Sequence, residues 1–227
     1  INKGNADAFR ITKDIKSTKK YFTSKEKIDG CYLEDNKIYY YGEEIIDTRT
    51  VKLQGNHNYE NIMCAIMIAK ELGISNEVMI PVIKEFSGVA HRIEYVRTFN
   101  GKDFYNDSKA TNITSTQIAL SAFKKPTILL LGGLERRQSF FELKDYLEHT
   151  KLVICYGECK NRIKEEMDQM NIKCFVVDTL KEAVLLANEN SSSGDVILLS
   201  PAAASWDQYA KFEDRGDEFK EIVRGLE

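Results

Sequence analysis

The peptide Thr127–Gly133 reads TILLLGG, an apolar run that ends in two glycines. A short run of this kind is typical of a strand that is buried on both faces of a sheet. Three further runs share this character: Leu152–Tyr156, Cys174–Val177 and Val196–Ser200. Helical stretches near 113–123, 139–149, 160–170 and 180–190 alternate with these runs. The alternation predicts an α/β fold with right-handed crossovers and a mostly parallel, doubly wound sheet that carries helices on both faces.

The sequence before residue 90 has a different pattern. Residues 30–51 have β character and predict two or three short antiparallel strands, with a turn at Asp35-Asn36. A helix with the apolar spacing of an amphipathic segment follows from Asn58 and stops at Gly73. A second helix is predicted from about residue 76 to 86, and its Pro81 favours a late start or a bend.

An alternating segment, residues 93–105, follows these helices and is interrupted by Asn100-Gly101, a strong signal for a two-residue hairpin turn. We therefore place a domain boundary between Arg92 and Ile93. The two predicted domains are residues 1–92 and 93–227.

The composition excludes several classes of protein. The chain has 227 residues, 43% hydrophobic and 30% charged, and a formal net charge of −3, so it offers no bulk positive field for nucleic acid or an anionic membrane. Its apolar runs are far shorter than the roughly 20 residues of a membrane-spanning helix. Five cysteines without CxxC spacing indicate a reducing, cytoplasmic compartment. The start, INKGN, reads as a cut end inside a longer protein.

Ligands of doubly wound sheets bind outside the carboxyl ends of the strands, so the segments that follow the strands are the candidate sites. The first segment, residues 106–112, reads NDSKATN and precedes a helix that the Thr114–Gln117 pair is expected to cap. Backbone amides, a helix start and Lys109 favour an anion there, and Asp107 suits a ribose or a metal. A merely hydrophilic, well-capped loop is an equal alternative.

Two further strand ends carry unusual residues. The Gly132-Gly133 pair lets the backbone approach a ligand, and the arginines that follow offer carboxylate or phosphate contacts. Taken alone, however, this loop favours an ordinary glycine turn with solvated charges. Small residues follow the last strand, at 201–205, and leave room for a ligand beside Ser205, or else allow close packing. Trp206 is expected to be a core aromatic.

Two more segments stand outside the strand ends. Asn58 and Asn61 lie three residues apart at the start of a helix, where they suit a purine edge, phosphates or a simple helix cap. His91 is more typical of a packed residue than of a catalyst. The chain contains neither GxGxxG nor GxxxxGK[ST], which weighs against a dinucleotide enzyme or a self-sufficient ATPase.

Taken together and in order, these segments resemble the Mur ligase family. The residues that carry the resemblance are Gly55-x-His57-Asn58-x-x-Asn61, Phe86-x-Gly88-x-x-His91-Arg92-x-Glu94, Asn106–Asn112, Gly132-Gly133, Ser200-Pro201-Ala202-x-Ala204–Gln208 and Phe212-Glu213-x-Arg215-Gly216. The likeness covers nearly the whole chain and is closest to the family member that adds D-glutamate. It departs from the family pattern at Glu135, where aspartate is commoner, and at Ala203, where cysteine is frequent.

The resemblance implies a domain organisation and a reaction. Residues 1–92 would be the α+β end of a central ATP-binding domain, and residues 93–227 a Rossmann-like C-terminal domain for the amino acid. The family reaction uses ATP and Mg²⁺ to form an acyl phosphate on UDP-N-acetylmuramoyl-L-alanine, which D-glutamate then attacks, in peptidoglycan synthesis and hence cell shape and division. The resemblance implies a cytoplasmic, monomeric enzyme that binds neither nucleic acid nor membrane. The fragment alone, lacking the phosphate loop, would be inactive.

The resemblance also assigns roles to residues. It implies catalytic roles for Lys109 and Arg92, through the positive charge that phosphoryl transfer requires. The nucleotide would be bound by Asn58, Asn61, Arg92, Asp107 and Lys109. D-Glutamate would be bound by Thr111, Arg136 (with Arg137 as the alternative), Ser205 and the backbone near Phe212. The metal ligands would lie mainly outside this chain.

A second hypothesis belongs to another class of protein. The chain would then be a non-catalytic, Rossmann-like module that tethers a nucleotide or a partner, and its motifs would reflect packing. Dependence of ADP release on D-glutamate separates the two hypotheses.

Overall fold

The computed structural model describes residues 1–53 and 55–227. Within them the chain forms two compact units, Ile1–Gly88 and Val89–Glu227. The division falls between Gly88 and Val89 rather than between Arg92 and Ile93. The assignment of residues 1–92 and 93–227 to two functional domains stays a prediction. In the described parts of the chain, no helix combines the length and apolarity that crossing a bilayer requires.

Within its described residues, the N-terminal unit contains one small sheet, three α-helices and a short 3₁₀ turn. Its elements are α1 (Ala6–Ile11), β1 (Phe22–Thr23), β2 (Cys31–Glu34), β3 (Lys37–Tyr40), β4 (Glu43–Asp47), a 3₁₀ turn (Thr48–Thr50), α2 (Asn56–Glu71) and α3 (Asn76–Glu85). The sheet has the order β1-β2-β3-β4, with β2, β3 and β4 antiparallel as expected and β1 parallel to β2. The predicted turn is present, because Asp35 and Asn36 both adopt left-handed backbone conformations.

The core of this unit lies between the sheet and α2. Ile62, Met63 and Ile66 recur on one face of α2 and are buried against Ile38 and its neighbours in the sheet. Helix α3 starts at Asn76, and Pro81 lies in its second turn, so the expected late start is wrong.

The C-terminal unit contains a six-stranded sheet with four α-helices. Its elements are β5 (Glu94–Phe99), β6 (Lys102–Asn106), α4 (Ile113–Ser121), β7 (Thr127–Gly132), a 3₁₀ segment (Phe140–Tyr146), β8 (Thr150–Tyr156), α5 (Lys160–Gln169), β9 (Cys174–Val176), α6 (Leu180–Glu189), β10 (Val196–Leu199) and α7 (Phe212–Arg224). The strand order is β5-β6-β10-β7-β8-β9, and β5 pairs antiparallel with β6 while the other pairs are parallel. The predicted doubly wound, mostly parallel sheet is confirmed.

Alternate residues of the central strands enter two hydrophobic cores, one on each face. Leu129 and Leu131 of β7 pack with α4 and α5, whereas Ile128 and Leu130 pack with α6 and α7. Because both faces of the sheet are covered, the strand reads as a continuous apolar run.

The stretch predicted as a helix near 139–149 is a 3₁₀ segment instead of an α-helix. Its two buried residues, Phe140 and Leu143, are spaced by three, which matches the 3.0 residues per turn of a 3₁₀ helix. The apolar pattern therefore predicted the buried face correctly and the helix type wrongly.

Candidate active site

The strand order brings three of the predicted loops to one edge of the sheet. Strand β10 lies between β6 and β7 and is parallel to both, so the loops that follow these three strands emerge side by side. We call them loop A (residues 107–112, after β6), loop B (133–139, after β7) and loop C (200–211, after β10). This placement is what the rule for doubly wound sheets predicts.

Backbone hydrogen bonds join the loops directly where the strands end. The N–H of Asp107 donates to the carbonyl of Leu199 at 2.7 Å, which links loop A to the end of β10. The N–H of Leu134 donates to the carbonyl of Ala204 at 2.8 Å, which links loops B and C. These bonds fix the spacing of the loops without relying on mobile side chains.

A buried arginine of α7, Arg215, forms hydrogen bonds that connect the ends of the three strands. The side chain of Arg215 is 0% exposed. Its Nε donates to the Ser108 hydroxyl at 2.9 Å and its Nη2 to the Ser108 carbonyl at 2.8 Å, both in loop A. Its Nη1 donates to the carbonyl of Ala203 in loop C at 3.1 Å and, more weakly, to that of Gly132 before loop B at 3.5 Å. One planar guanidinium thus spans all three strand ends.

Arg215 also carries a positive charge into this region. Among residues 1–53 and 55–227, no carboxylate lies within ion-pair distance of its guanidinium. A buried cation without a paired anion is costly unless its donors are satisfied, and here carbonyl and hydroxyl oxygens satisfy them. Its charge therefore remains available to attract an anion to the loops.

Asp107, the first residue of loop A, has a perturbed carboxyl group. The residue is 4% exposed, and its two carboxylate oxygens accept from the Ser200 hydroxyl at 2.7 Å and from the Ile93 N–H at 3.1 Å. Burial raises its pKa to about 6, against the opposing effect of these hydrogen bonds and of the charges of Arg92 and Arg215. Its predicted contact with a nucleotide stays a prediction, and here it holds loop A to loop C.

Lys109 lies over an aromatic ring that α7 supplies. Its Nζ is 4.7 Å from the centroid of the Phe212 ring, and its backbone N–H donates to the carbonyl of His91 at 2.9 Å. The Ser108 hydroxyl donates to the Phe212 carbonyl at 2.8 Å, which joins loop A to the first residue of α7. The contact with the ring restricts the side chain of Lys109, which is half-buried as a residue.

The helix after loop A is capped by a different residue from the one that the sequence predicted. The expected Thr114–Gln117 capping pair is wrong, because the N-cap of α4 is Asn112, whose side chain accepts from the Ser115 N–H at 2.9 Å. Thr111 therefore lies just before the helix start, half-buried, with its backbone N–H donating to the Lys109 carbonyl. Thr111 and Lys109 share one tight turn.

His91 is a packed residue, as its sequence context indicated. It is 6% exposed, and its Nδ1 lies 3.0 Å from the side-chain nitrogen of Asn106. A Cβ on Gly216 would lie 2.1 Å from this Nδ1, so α7 can approach His91 only through a glycine. The His91-Arg92 segment is thereby fixed against loop A and α7.

In loop B, Arg136 is exposed, whereas the neighbouring Glu135 is held by an ion pair. The carboxylate of Glu135 forms an ion pair with Arg162 of α5 at 2.6 Å. The guanidinium carbon of Arg136 lies 4.8 Å from the centroid of the Trp206 ring in loop C. Trp206 is 64% exposed, so the expectation of a core aromatic is wrong. The sequence suggested a core position because Trp206 follows a buried strand. It lies several residues beyond the end of that strand, however, and its side chain is exposed at the edge of the sheet.

Ser205 has a hydroxyl without a partner among the residues that the structure describes. It is 1% exposed, and its Oγ forms no hydrogen bond within the described chain. Buried hydroxyls are ordinarily satisfied, so an unsatisfied one beside Trp206 in loop C is a candidate contact for a ligand.

Three predicted site residues, Asn58, Asn61 and Arg92, lie outside loops A, B and C. Asn58 is half-buried and Asn61 exposed, and both lie on α2 of the N-terminal unit. Arg92 is exposed in the C-terminal unit, close enough to Asp107 to lower its pKa. The roles of all these side chains in binding stay predictions. Within residues 1–53 and 55–227, no group of three His, Cys, Asp or Glu side chains is arranged to hold a metal ion.

Sequence reasoning missed Arg215 as a site residue. The signal was present, because Arg215 lies in the quoted motif that ends at Gly216. An arginine among charged neighbours on a helix ordinarily reads as exposed, and only the packing of α7 against the sheet shows that it is buried.

Comparison with known proteins finds a matching family profile. Residues 91–203 match the family profile described as "Mur ligase, glutamate ligase domain". These residues are thereby identified as the glutamate ligase domain of a Mur ligase.

Two similar relatives carry the same name. The UDP-N-acetylmuramoylalanine--D-glutamate ligase of Bacillus mycoides (strain KBAB4) is 46% identical over 228 aligned residues, and the ligase of the same name from Bacillus cereus (strain Q1) is equally similar. In each case the match covers 100% of this chain and 51% of the relative. The chain therefore spans about half the length of the curated relatives that it matches.

Solved structures share the fold. MurF from Acinetobacter baumannii has a TM-score of 0.69 at 16% identity, and the match covers 97% of this chain and 51% of that protein. The UDP-N-acetylmuramate-alanine ligase MurC from Thermotoga maritima has a TM-score of 0.63 at 16% identity, covering 90% of this chain and 47% of that protein. At these identities the likeness concerns the fold alone.

Proposed function

We propose that this chain is the C-terminal half of an ATP-dependent ligase that joins D-glutamate to UDP-N-acetylmuramoyl-L-alanine. The proposal rests on the relatives of that name and on one observation, the meeting of loops A, B and C around the buried guanidinium of Arg215. It places the enzyme in the cytoplasm as a monomer acting in peptidoglycan synthesis. Its substrates are small molecules and ATP.

The proposed reaction has two steps. In the first, the carboxylate of UDP-N-acetylmuramoyl-L-alanine attacks the γ-phosphorus of ATP, and ADP leaves as an acyl phosphate forms. In the second, the amine of D-glutamate attacks the acyl carbon, phosphate leaves, and the nitrogen loses a proton. Both steps concentrate negative charge on phosphoryl and acyl oxygens, so fixed cations stabilise their transition states.

Lys109 and Arg92 would supply part of that charge. The stacking of Lys109 on Phe212 and the bond from its backbone to His91 hold the ammonium in a defined place, which preorganisation requires. Arg215 adds a buried charge that does not need to reorganise. Asp107, Asn58 and Asn61 would position the nucleotide.

D-Glutamate would bind where loops A and C and the start of α7 meet. Ser205 offers a hydroxyl that has no partner within residues 1–53 and 55–227, and Thr111 offers a second hydroxyl beside Lys109. The backbone N–H of Phe212 lies in the first turn of α7, where no carbonyl of the same helix accepts from it. Arg136 would supply the cation for a carboxylate.

Mg²⁺ would support the first step by neutralising phosphate charge. The residues that hold it would lie mainly in the N-terminal half of the ligase, as the resemblance to the family implies. On this proposal the 227-residue chain alone has negligible ligase activity.

The experiment measures ADP release by the full-length ligase with and without D-glutamate. Lys109→Ala is expected to lower kcat by about 100-fold or more, because it removes charge stabilisation from the transition state. Thr111→Ala is expected to raise the KM for D-glutamate by about tenfold, as expected for one lost hydrogen bond. Lys124→Ala and Thr114→Ala change exposed residues of the same types and serve as controls.

Parent-like kinetics in both Lys109→Ala and Thr111→Ala would refute the ligase roles. Retained ADP binding without any D-glutamate-dependent turnover would favour the second hypothesis, a non-catalytic nucleotide-binding module.

A further inference from the structure

The stacked pair Arg136–Trp206 forms the outer rim of the three-loop site. Its members come from different loops, B and C, and their side chains meet at 4.8 Å although both residues are exposed. An exposed tryptophan that carries a guanidinium on its ring is unusual for a solvent surface. It calls for an explanation beyond packing.

The backbone beneath Trp206 is fixed on both sides. The carbonyl of Ser205 accepts from the Tyr209 N–H at 2.8 Å, and the carboxylate of Asp207 accepts from the Glu158 N–H at 3.0 Å. The link between Leu134 and Ala204 fixes loop B to loop C one residue before Ser205. The backbone therefore holds the Trp206 indole in a defined position against the side chain of Arg136.

The charge of Arg136 is left uncompensated. Its neighbour Glu135 is engaged by Arg162, and within residues 1–53 and 55–227 no carboxylate lies within ion-pair distance of the Arg136 guanidinium. A guanidinium held over an aromatic ring still carries N–H donors along its own edge. Those donors match the geometry of an incoming carboxylate.

We propose that Trp206 is a positioning residue that holds Arg136 for one carboxylate of the amino-acid substrate, an inference that rests on the proposed function. The pair then selects a dicarboxylic amino acid over a monocarboxylic one. The stack limits the rotamers of Arg136 before the substrate arrives. Less conformational entropy is then lost on binding. The same argument assigns the contact with the substrate carboxylate to Arg136 rather than to Arg137.

The first test uses fluorescence, because Trp206 is the single tryptophan of the chain. Arg136→Gln is expected to increase quenching of its emission by acrylamide, since the guanidinium covers one face of the indole. Arg137→Gln is the matched control and is expected to leave the quenching unchanged. Equal quenching in the parent and in Arg136→Gln would show that the stack is not populated and would overturn the proposal.

The second test measures selection of the substrate in the full-length ligase, with D-glutamine as the neutral analogue of D-glutamate. Trp206→Leu is expected to raise the KM for D-glutamate about tenfold with kcat within about twofold of the parent, and to reduce the preference over D-glutamine. Trp206→Phe keeps an aromatic face and is expected to retain most of the parent behaviour.

A double mutant separates positioning from a direct or structural role. In an Arg136→Gln background, Trp206→Leu is expected to have no further effect on KM, because Trp206 acts through Arg136. An equal rise in KM in both backgrounds would overturn the proposal. If the parent turns over D-glutamate but Trp206→Leu matches it, this inference fails alone, whereas a parent without D-glutamate-dependent turnover refutes the proposed function as well.

Discussion

Replacing Arg215 by methionine should separate the three loops and destabilise the C-terminal unit. Methionine fills much of the same volume but donates no hydrogen bond. The guanidinium makes three bonds of ordinary length, two to Ser108 and one to Ala203. Their loss leaves three oxygens without this donor in a region where the arginine itself is fully buried.

The magnitude follows from these bonds. Hydrogen bonds to a charged group contribute about 1.5–3 kcal/mol each, and the desolvation of a buried guanidinium offsets several kcal/mol of that sum. We expect the free energy of unfolding to fall by about 3–5 kcal/mol, because each of the three oxygens that loses its donor costs about 1–3 kcal/mol and the relieved desolvation of the guanidinium offsets part of that sum. Arg215→Lys keeps the charge but not the planar fork, so it should recover only part of the loss.

The assay is urea unfolding followed by far-ultraviolet circular dichroism, together with hydrogen exchange of the Leu134 amide that joins loops B and C. Arg224→Met is the control, since Arg224 is exposed in the last turn of the same helix. It should change stability by less than about 0.5 kcal/mol. A loss below about 1 kcal/mol for Arg215→Met, with unchanged protection of Leu134, would refute the organising role of Arg215.

Three further results are expected. Gly216→Ala should cost about 1–3 kcal/mol of stability in urea unfolding, because its Cβ would meet the His91 ring at 2.1 Å, whereas Gly225→Ala, whose Cβ would come no closer than 3.4 Å to a neighbouring atom, should be nearly neutral. Asp107→Asn should change the pH dependence of stability: the raised pKa means that the parent loses stability relative to the variant as pH rises from about 4 to about 6, by up to about 3 kcal/mol, and parallel pH profiles would contradict this. Thr179→Ala should cost about 1 kcal/mol in thermal unfolding by removing the capping box of α6, and an unchanged Tm would count against it.

Much of the fold follows from sequence because local and long-range signals agree. The apolar run from Thr127 to Leu131 predicts a buried strand, and the alternation of such runs with helical stretches predicts parallel pairing. The rule that ligands bind at the carboxyl ends of such strands then selects loops A, B and C before any coordinates are known.

What sequence did not predict depends on contacts between distant residues. Arg215 is buried because α7 packs behind loops whose residues lie about 100 positions earlier, at Ser108. The exposure of Trp206 depends on the direction in which loop C leaves the sheet. The cap at Asn112 was missed because two polar candidates compete near one helix start, and the boundary between them depends on the turn formed by Thr111.

The central claim is that loops A, B and C form one site for a dicarboxylic amino acid. The most direct measurement is a titration of the isotopically labelled chain with D-glutamate, followed by the backbone amide resonances in nuclear magnetic resonance. The account predicts that the amides of Thr111, Arg136, Trp206 and Phe212 shift together along a single binding curve, and that L-glutamate produces smaller shifts. Resonances that stay unmoved in all three loops, or that respond in one loop only, would contradict it.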